Sequence, residues 1–304
     1  MKKVISLLLL LALVFSFTGC HIINSGKVNK EKEIEITYNT FSEWGGGEYQ
    51  IVDGELYCRK ENSLGLLGED IFAYYDDWTK TNINANNIIH LEVYSGILLY
   101  LTNDGRVYVL GKAEEMAGWC NAENDTTKNI TTPVLLFEDC KTASLGVRFA
   151  LFLKNDNTLW FVGESYYGQS TVGTETISKP IKIAENILFA QAFVGTSSWI
   201  DSENNLYLCG NNSYGQIGNG TMGKGIPMLY RDAVEEPFCA LTDCVAFSVE
   251  QVKNGITVVR AENSIGEKFV WGGAYGATPI YDDGRVKVDS HDIYDEYLPQ
   301  EQEK

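Results

Sequence analysis

Short apolar runs alternate with turn-forming residues along most of this chain. The apolar run 97–101 leads into Asn103-Asp104-Gly105, and the β-rich run 106–110 leads out of it. An Asp-Gly pair between two such runs favours a hairpin, because the tight turn requires positive φ angles. The pattern therefore predicts two antiparallel strands joined by a tight turn.

This hairpin pattern recurs, each time with a Gly or its replacement six residues beyond the turn. The copies are Gly54 to Lys60, Gly105 to Gly111, Asn157 to Gly163, Asn204 to Gly210 and Gly266 to Gly272. Repeats of about 50 residues are typical of solenoids, propellers and arrays, and a unit of this length has room for four short strands. The sequence predicts an all-β fold: a β-propeller of about five blades, each a four-stranded antiparallel sheet. We expect the ring to close, with the strand around 33–39 pairing into the last blade, because closure hides sheet edges.

The copies resemble the repeat of the regulator of chromosome condensation family. Units of that family carry an Asp-Gly turn, a strand ending in Trp-Gly, and Asn-x-x-Gly-Gln-Leu-Gly. The best match here is Asn212-Ser213-Tyr214-Gly215-Gln216-Ile217-Gly218, and Tyr166-Tyr167-Gly168-Gln169 and Val270-Trp271-Gly272 match in part. The resemblance extends over residues 44–280 and implies propeller blades. Founding members of the family form seven blades, whereas this chain shows five copies.

The first residues of the chain are typical of a targeting segment. Lys2 and Lys3 precede a largely apolar run, 4–17, which is shorter than the about 20 residues that span a bilayer but suits the core of a signal peptide. Phe17-Thr18-Gly19-Cys20 resembles a bacterial lipobox, in which Cys20 would be lipidated and begin the mature chain. The alternative is an ordinary secretory signal with an incidental Cys.

These features predict four segments and a location. Residues 1–19 would be a lipoprotein signal peptide, 20–33 a polar tether, 34–290 the propeller, and 291–304 an acidic tail. The lipid anchor would hold the protein at the extracytoplasmic face of the cell membrane.

The charge of the chain bears on its binding partners, and its cysteines bear on the core and on disulfide formation. The chain has 24 Lys and Arg against 41 Asp and Glu, a formal charge of −17. A nucleic-acid binder needs a basic face, so nucleic acid is excluded as a partner. Of the seven cysteines, Cys58 and Cys209 lie inside repeated strands, where we expect small buried hydrophobic residues. Cys239 and Cys244 are the sequence-near pair that could form a disulfide.

The residues offer little for catalysis. The three His residues show no metal-ligand spacing, and no Cys-x-x-Cys or Gly-x-Ser-x-Gly motif occurs. Two acidic pairs, Asp76-Asp77 and Asp282-Asp283, are the candidates for a glycosidase-like carboxylate pair. Adjacent acids in loops are usually solvated, so we expect no enzyme activity, no metal and no cofactor.

The long connections between hairpins predict a binding face. They follow each repeated strand, at 64–86, 112–133, 164–178 and 211–227, and should all emerge at the end opposite the tight turns. Their aromatic residues outside the repeat pattern are the candidate binding residues, because Tyr and Trp dominate interface hot spots. They are Tyr74, Tyr75, Trp78, Trp119 and Tyr166. Asp76 and Asp77 beside them favour a basic partner.

Three functions fit these features. The first is a membrane-anchored propeller that binds another protein and catalyses nothing. The second is a surface carbohydrate-binding protein or a glycoside hydrolase that uses loop carboxylates. The third is a structural scaffold whose partner is a component of the cell envelope. A pair of loop carboxylates facing one cleft, with aromatic platforms, would distinguish the second function from the first.

Overall fold

The computed structural model describes residues 36–39, 47–67, 73–116, 129–223, 233–251, 256–277 and 280–281. In these residues the strands form five sheets, each of four antiparallel strands in chain order. The first sheet holds β1 (Ile36–Asn39), β2 (Gly47–Val52), β3 (Glu55–Glu61) and β4 (Tyr74–Asn84). The second holds β5 (Ile88–Tyr94), β6 (Ile97–Thr102), β7 (Val107–Lys112) and β8 (Asn129–Phe137). The third holds β9 (Cys140–Gly146), β10 (Phe149–Lys154), β11 (Leu159–Gly163) and β12 (Ile177–Ala184).

The remaining two sheets follow the same order. The fourth holds β13 (Ile187–Phe193), β14 (Thr196–Asp201), β15 (Leu206–Asn211) and β16 (Ala233–Leu241). The fifth holds β17 (Cys244–Gln251), β18 (Thr257–Asn263), β19 (Lys268–Trp271) and β20 (Ile280–Tyr281), with a 3-10 turn at Gly273–Tyr275. The predicted propeller of five four-stranded antiparallel blades is confirmed.

The position of β1 differs from our prediction. We expected the segment around 33–39 to pair into the last blade, but β1 pairs with β2 in the first blade, from Ile36 opposite Ile51 to Asn39 opposite Glu48. Each blade is a simple meander of consecutive strands, so the first blade takes its first strand from the chain just before it. The prediction of that pairing was therefore wrong.

Neighbouring blades share buried hydrophobic clusters. The central strand β6 is buried along its whole length, because Leu98 and Tyr100 pack toward the first blade while Ile97, Leu99 and Leu101 pack toward the third. Successive strand residues point to opposite faces, so burial on both faces requires the continuous apolar run seen in the sequence. Four such clusters join the blades from first to fifth. Among the described residues no comparable cluster joins the fifth blade to the first, and ring closure stays a prediction.

The first strands of the blades lie next to one another without pairing directly. β5 contacts β9, β9 contacts β13, and β13 contacts β17. Side chains at the fifth position of these strands bridge the gaps to the next backbone. Glu92 accepts a hydrogen bond from the Leu145 amide, and Ser144 Oγ accepts one from the Ala192 amide at 3.1 Å. Gln191 extends this ladder to the fifth blade, where its side chain both accepts from and donates to the backbone of Val249.

Backbone hydrogen bonds also join the blades at the end that carries the tight turns, here called the turn face. In the third, fourth and fifth blades the first residue donates its amide to a carbonyl in the preceding blade's turn. These bonds run from Cys140 to Gly105 at 2.9 Å, from Ile187 to Asn157 at 2.9 Å, and from Cys244 to Asn204 at 2.8 Å. In the second blade Ala85, just before β5, donates to Gly54 at 2.9 Å. The turn face is thus a hydrogen-bonded rim and not a set of free loops.

The repeated Gly beyond each turn has a steric explanation. Gly111, Gly163 and Gly210 have φ angles of 122°, 114° and 110°, a region that L side chains rarely adopt. A Cβ at Gly210 would lie 2.2 Å from the carbonyl oxygen of Gly195, in the turn between the first two strands of its blade. Glycine is therefore required where the end of the third strand approaches the turn between the first and second strands of the same blade. In the first copy Lys60 occupies this position with a φ of 69°.

The described cysteines are unpaired thiols, and four of the five are buried. Cys58 and Cys209 act as small core residues, as the repeat pattern predicted. Burial raises the pKa of the Cys58, Cys140 and Cys244 thiols to about 12. Among the described residues, no helix has the length and apolar character needed to cross a bilayer.

Candidate functional site

The connections between the third and fourth strands of the blades emerge at one end of the propeller, here called the loop face. Because the chain reverses at every hairpin, this end is opposite the turn face, as predicted. The described parts of the connections include 62–67, 113–116, 164–176 and 212–223. The loop face therefore carries the longest connections within the blades.

A recurring hydrogen-bond pattern gives these loops their shape. Asn212 Oδ1 accepts the amide of Ile217 at 3.0 Å, and Asn62 Oδ1 accepts the amide of Leu67 at 2.9 Å. In the third blade Ser165 Oγ performs the same task for the amide of Ser170, at 3.0 Å. The Asn-x-x-Gly-Gln motif is thus explained by backbone satisfaction within a compact loop, and its polar residues are structural.

The residue before each repeated Gly can connect one blade to the loop of the preceding blade. The fully buried Trp271 donates from Nε1 to the Gln216 carbonyl at 2.8 Å. Cys209 occupies the equivalent position in the fourth blade and lies with its Sγ 3.7 Å from the Gln169 carbonyl. Trp271 of the Trp-Gly motif therefore ties the fifth blade to the loop of the fourth.

An ion-pair cluster on the loop face was not predicted from the sequence. Arg148, in the β9–β10 turn, donates from Nε to Glu115 at 2.6 Å and from Nη1 to Glu164 at 3.1 Å. Glu115 belongs to the loop of the second blade and Glu164 to that of the third, so the cluster joins two loops. Arg148 is a turn residue with a positive φ of 57°. It lies outside the hydrophobic pattern of the strands, so no signal in the sequence indicated this cluster.

Three of the predicted binding aromatics lie on a strand and not in a loop. Tyr74, Tyr75 and Trp78 belong to β4, the outermost strand of the first blade, and the prediction that this stretch is a connection was wrong. Tyr74 pairs with Glu61 and Tyr75 with Lys60, which places both at the loop-face end of β4. Tyr74 is 61 % exposed, so its ring is available to a partner.

Trp78 belongs to a charged cluster on the first blade. The Arg59 guanidinium lies 4.5 Å from the centre of the Trp78 ring, a cation–π distance. Arg59 and Lys60 both pair with Glu48, each at 2.5 Å. Burial alone would raise the pKa of Glu48, but the hydrogen bonds and positive charges of Lys60 and Arg59 outweigh it and hold that pKa below its ordinary value. The Trp78 ring thus lies against an arginine that Glu48 also binds.

The other predicted site residues are separated from this cluster. Tyr166 lies in the β11–β12 loop of the third blade and is 38 % exposed, two blades away from Tyr74 in chain order. Asp76 and Asp77 are exposed on β4. Trp119, Asp282, Asp283 and the lipidation candidate Cys20 lie outside the described residues. The common aromatic surface stays a prediction.

A metal ion needs several ligand side chains that converge on one point. Across the ranges that the structure describes, no group of three or more His, Cys, Asp or Glu side chains is placed to hold a metal ion. His90 lies 3.0 Å from Glu92, on the first strand of the second blade. Burial lowers the pKa of His90, but its hydrogen bond with Glu92 and that carboxylate's charge outweigh the effect and raise the pKa above its ordinary value.

The chain is similar to known proteins in structure, whereas its sequence matches no model of a protein family and no curated protein. Human WBSCR16 superimposes with a TM-score of 0.57 at 18 % identity, over 77 % of this chain and 64 % of that protein. Yeast RCC1 (Prp20), crystallised with Kap60, gives a TM-score of 0.59 at 18 % identity, over 77 % and 58 %. A second structure, of Prp20p from Saccharomyces cerevisiae, gives 0.58 at 19 %, over 77 % and 60 %.

The extent of these matches defines what they show. The chain spans about three fifths of the length of these neighbours, since the covered shares are 64 %, 58 % and 60 %. At this level of identity the likeness concerns the fold alone. The fold of this chain is a β-propeller of the regulator of chromosome condensation type.

Proposed function

We propose that this protein is a membrane-anchored, extracytoplasmic β-propeller lipoprotein that binds another protein through its loop face and catalyses no reaction. The observation that carries the proposal is the exposed Tyr74 at the loop-face end of β4, the strand that also carries Trp78 with its ring against Arg59. Rigid aromatic side chains supply contact area at low entropic cost, and loops on a firm scaffold are where recognition concentrates.

The rigidity of the scaffold supports this role. The Arg148 cluster ties the loops of the second and third blades together, and Trp271 fixes the loop of the fourth. A surface that is ordered before binding loses less conformational entropy on association. The exposed Asp76 and Asp77 beside Tyr74 favour a partner with basic residues at the contact.

Structural neighbours give this proposal a precedent. One neighbour, yeast RCC1 (Prp20), is described in complex with Kap60, and another structure of Prp20p is described with its binding properties to Gsp1p and histones. These are proteins bound by proteins of the same fold. The anchor rests on Lys2, Lys3, the run 4–17 and Cys20, as argued from the sequence.

The test is photo-crosslinking in cells that express the full chain. A photoreactive phenylalanine analogue at Tyr74 should crosslink to a protein partner, whereas the same group at Leu135, which is 46 % exposed on β8, serves as a control at a different blade. Trp78→Ala and Trp119→Ala should then weaken capture, because buried aromatic anchors cost about 2 kcal/mol or more when truncated. Equal crosslinking from both positions, or no effect of either Trp variant, would contradict the loop-face proposal.

The same material addresses the carbohydrate alternative. If the purified chain binds immobilised glycans and Trp78→Ala abolishes that binding, the first blade is a sugar platform and the protein-binding proposal fails. Binding of a protein partner that glycans do not displace supports the proposal.

A further inference from the structure

The first strands of four blades share an unusual start at the turn face. Directly after the first residue, each strand has a β-bulge, in which two of its residues face a single residue of the second strand. The pairs are 89–90, 141–142, 188–189 and 245–246. Bulges of this kind change the direction of side chains at sheet rims. The bulges therefore raise one short segment per blade at the inner edge of the turn face.

In the fourth and fifth blades these raised positions are apolar. Leu188 is 48 % exposed, Phe189 is 41 % exposed and Val245 is 51 % exposed. β13 and β17 are neighbours, and Phe189 makes an edge-on ring contact with the buried Phe247 of β17 at 5.2 Å. We call Leu188, Phe189 and Val245 the rim patch. Contiguous exposed apolar groups on a folded domain commonly mark an interaction site.

In the part of the chain that the structure describes, three carboxylates without a cationic partner lie next to the strands that carry the rim patch. Asp201 pairs with Ile187 at the end of β14, Glu203 follows in the turn, and Asp243 directly precedes β17. No lysine or arginine within the described ranges forms an ion pair with any of these three, although the backbone and Asn205 satisfy Asp201, and Ser264 bonds Asp243. Two acids elsewhere on the turn face do have a cationic partner, in the Asp104–Arg106 pair at 2.7 Å and the Asp139–Lys154 pair at 3.5 Å.

The unmatched charge indicates the chemistry of the occupant. A lipid surface would supply apolar contact, but bacterial and other cell membranes carry anionic headgroups that these carboxylates would repel. A segment that alternates apolar and basic side chains would fill the rim patch and neutralise Asp201, Glu203 and Asp243. We infer that the turn face of the fourth and fifth blades is a second docking surface, for a basic, amphipathic polypeptide segment of a partner protein.

This surface lies at the opposite end from the loop face and goes beyond the proposed function. It makes a separate prediction, because Tyr74 and Trp78 belong to the first blade. Loss of binding at one face leaves the other intact, so the two proposals succeed or fail independently.

The experiment measures binding of a fluorescent synthetic peptide of alternating lysine and leucine to the full chain, with a glutamate–leucine peptide for comparison. The lysine–leucine peptide should bind, and the other should not. Val245→Ser should weaken binding about tenfold, since it removes one buried aliphatic anchor. Glu203→Gln should weaken binding as well and reduce its dependence on salt, because Glu203 is exposed and carries no structural hydrogen bond from its side chain in the described residues.

Val172→Ser is the matched control. Val172 is 61 % exposed, close to Val245 in exposure, but it lies on the loop face of the third blade. Its substitution should leave peptide binding unchanged. Thermal unfolding of each variant checks that the fold is kept, and Leu188→Ser replaces Val245→Ser if the latter unfolds.

Four results would overturn the inference. The first is that the lysine–leucine peptide does not bind, and the second is that both peptides bind equally. The third is that Val172→Ser and Val245→Ser weaken peptide binding equally. The fourth is that the chain binds phosphatidylglycerol vesicles in preference to the peptide and that Val245→Ser abolishes this vesicle binding. The last would assign the rim patch to a membrane. A partner that is released by Trp78→Ala but not by Val245→Ser would leave the proposed function standing while removing a role for the rim patch in that complex.

Discussion

Replacing Gly210 by Ala tests the steric basis of the repeat. Gly210 ends the third strand of the fourth blade with a φ of 110°, and a Cβ there would lie 2.2 Å from the Gly195 carbonyl oxygen and 3.1 Å from the Thr196 Cα. Both contacts are with backbone, which cannot rotate away. The hairpin turn at Gly195 and the start of the loop would have to separate.

The magnitude has two contributions. Placing a non-glycine residue in this φ region costs about 1–3 kcal/mol, and forcing an extra carbon into a filled space costs about 1–3 kcal/mol more. The reduced entropy of the unfolded chain returns about 0.4–1 kcal/mol. The net expectation is a loss of about 1–6 kcal/mol in the free energy of unfolding.

Gly266→Ala is the matched control. Gly266 has a φ of 82° in the β18–β19 turn, and a Cβ there meets nothing within 4 Å. It retains the cost of positive φ, about 1–2 kcal/mol, without the clash. Urea denaturation followed by tryptophan fluorescence should show Gly210→Ala as the less stable variant by about 1–3 kcal/mol. Equal stability of the two variants would refute the steric explanation of the repeated Gly.

Three further predictions concern separate features. Asn212→Ala removes the oxygen that accepts the Ile217 amide, so that amide should exchange its hydrogen faster in native-state hydrogen exchange; unchanged protection would contradict a structural role for the motif. His90 has a folded pKa above its usual 6.5, so its contribution to stability is complete below that pH and is lost as pH rises through the folded pKa. His90→Asn should therefore flatten the stability profile in that range, and a profile identical to the parent's would show that Glu92 does not couple to His90. Cys20→Ala should release the protein from the membrane fraction or leave an unprocessed precursor, and fractionation like the parent's would exclude lipidation at Cys20.

The blade architecture could be predicted because its signals are local. An Asp-Gly turn, apolar runs on both sides and a Gly six residues later lie within one hairpin, and their recurrence counts the blades. The buried fate of Cys58 and Cys209 follows from the same alignment, since they occupy strand positions filled elsewhere by apolar residues. Local turn chemistry and repeat period therefore carried most of the fold.

The start of β4 could not be predicted in this way. Its partner register shifts between Cys58 and Lys60, so the residues 75–79 face only the span 58–60 of β3. The bulge removes the alternation of apolar and polar residues by which a strand is recognised. The pair Asp76-Asp77 is also typical of a loop. β1 pairs with the next strand along the chain, so the local hairpin pattern was the better guide, and the expectation of a closed ring led to the wrong pairing.

The same reason hid the rim patch. Leu188 and Phe189 are consecutive in sequence, and on a regular strand one of them would be buried. Only the register between β13 and β14 shows that a bulge leaves both exposed. The Arg148 cluster was missed because Glu115, Arg148 and Glu164 come from three separate segments.

The rim of hydrogen bonds at the turn face has a consequence for synthesis of the protein. In each new blade a residue at or just before the start of the first strand bonds to a turn in the blade before it, as Cys140 does to Gly105. The segment that docks is thus the first part of each blade to leave the ribosome, and its receptor is already complete. Growth of the chain and growth of the folded structure proceed in one direction, so each exposed apolar blade face is covered as soon as the strands of the next blade have been made.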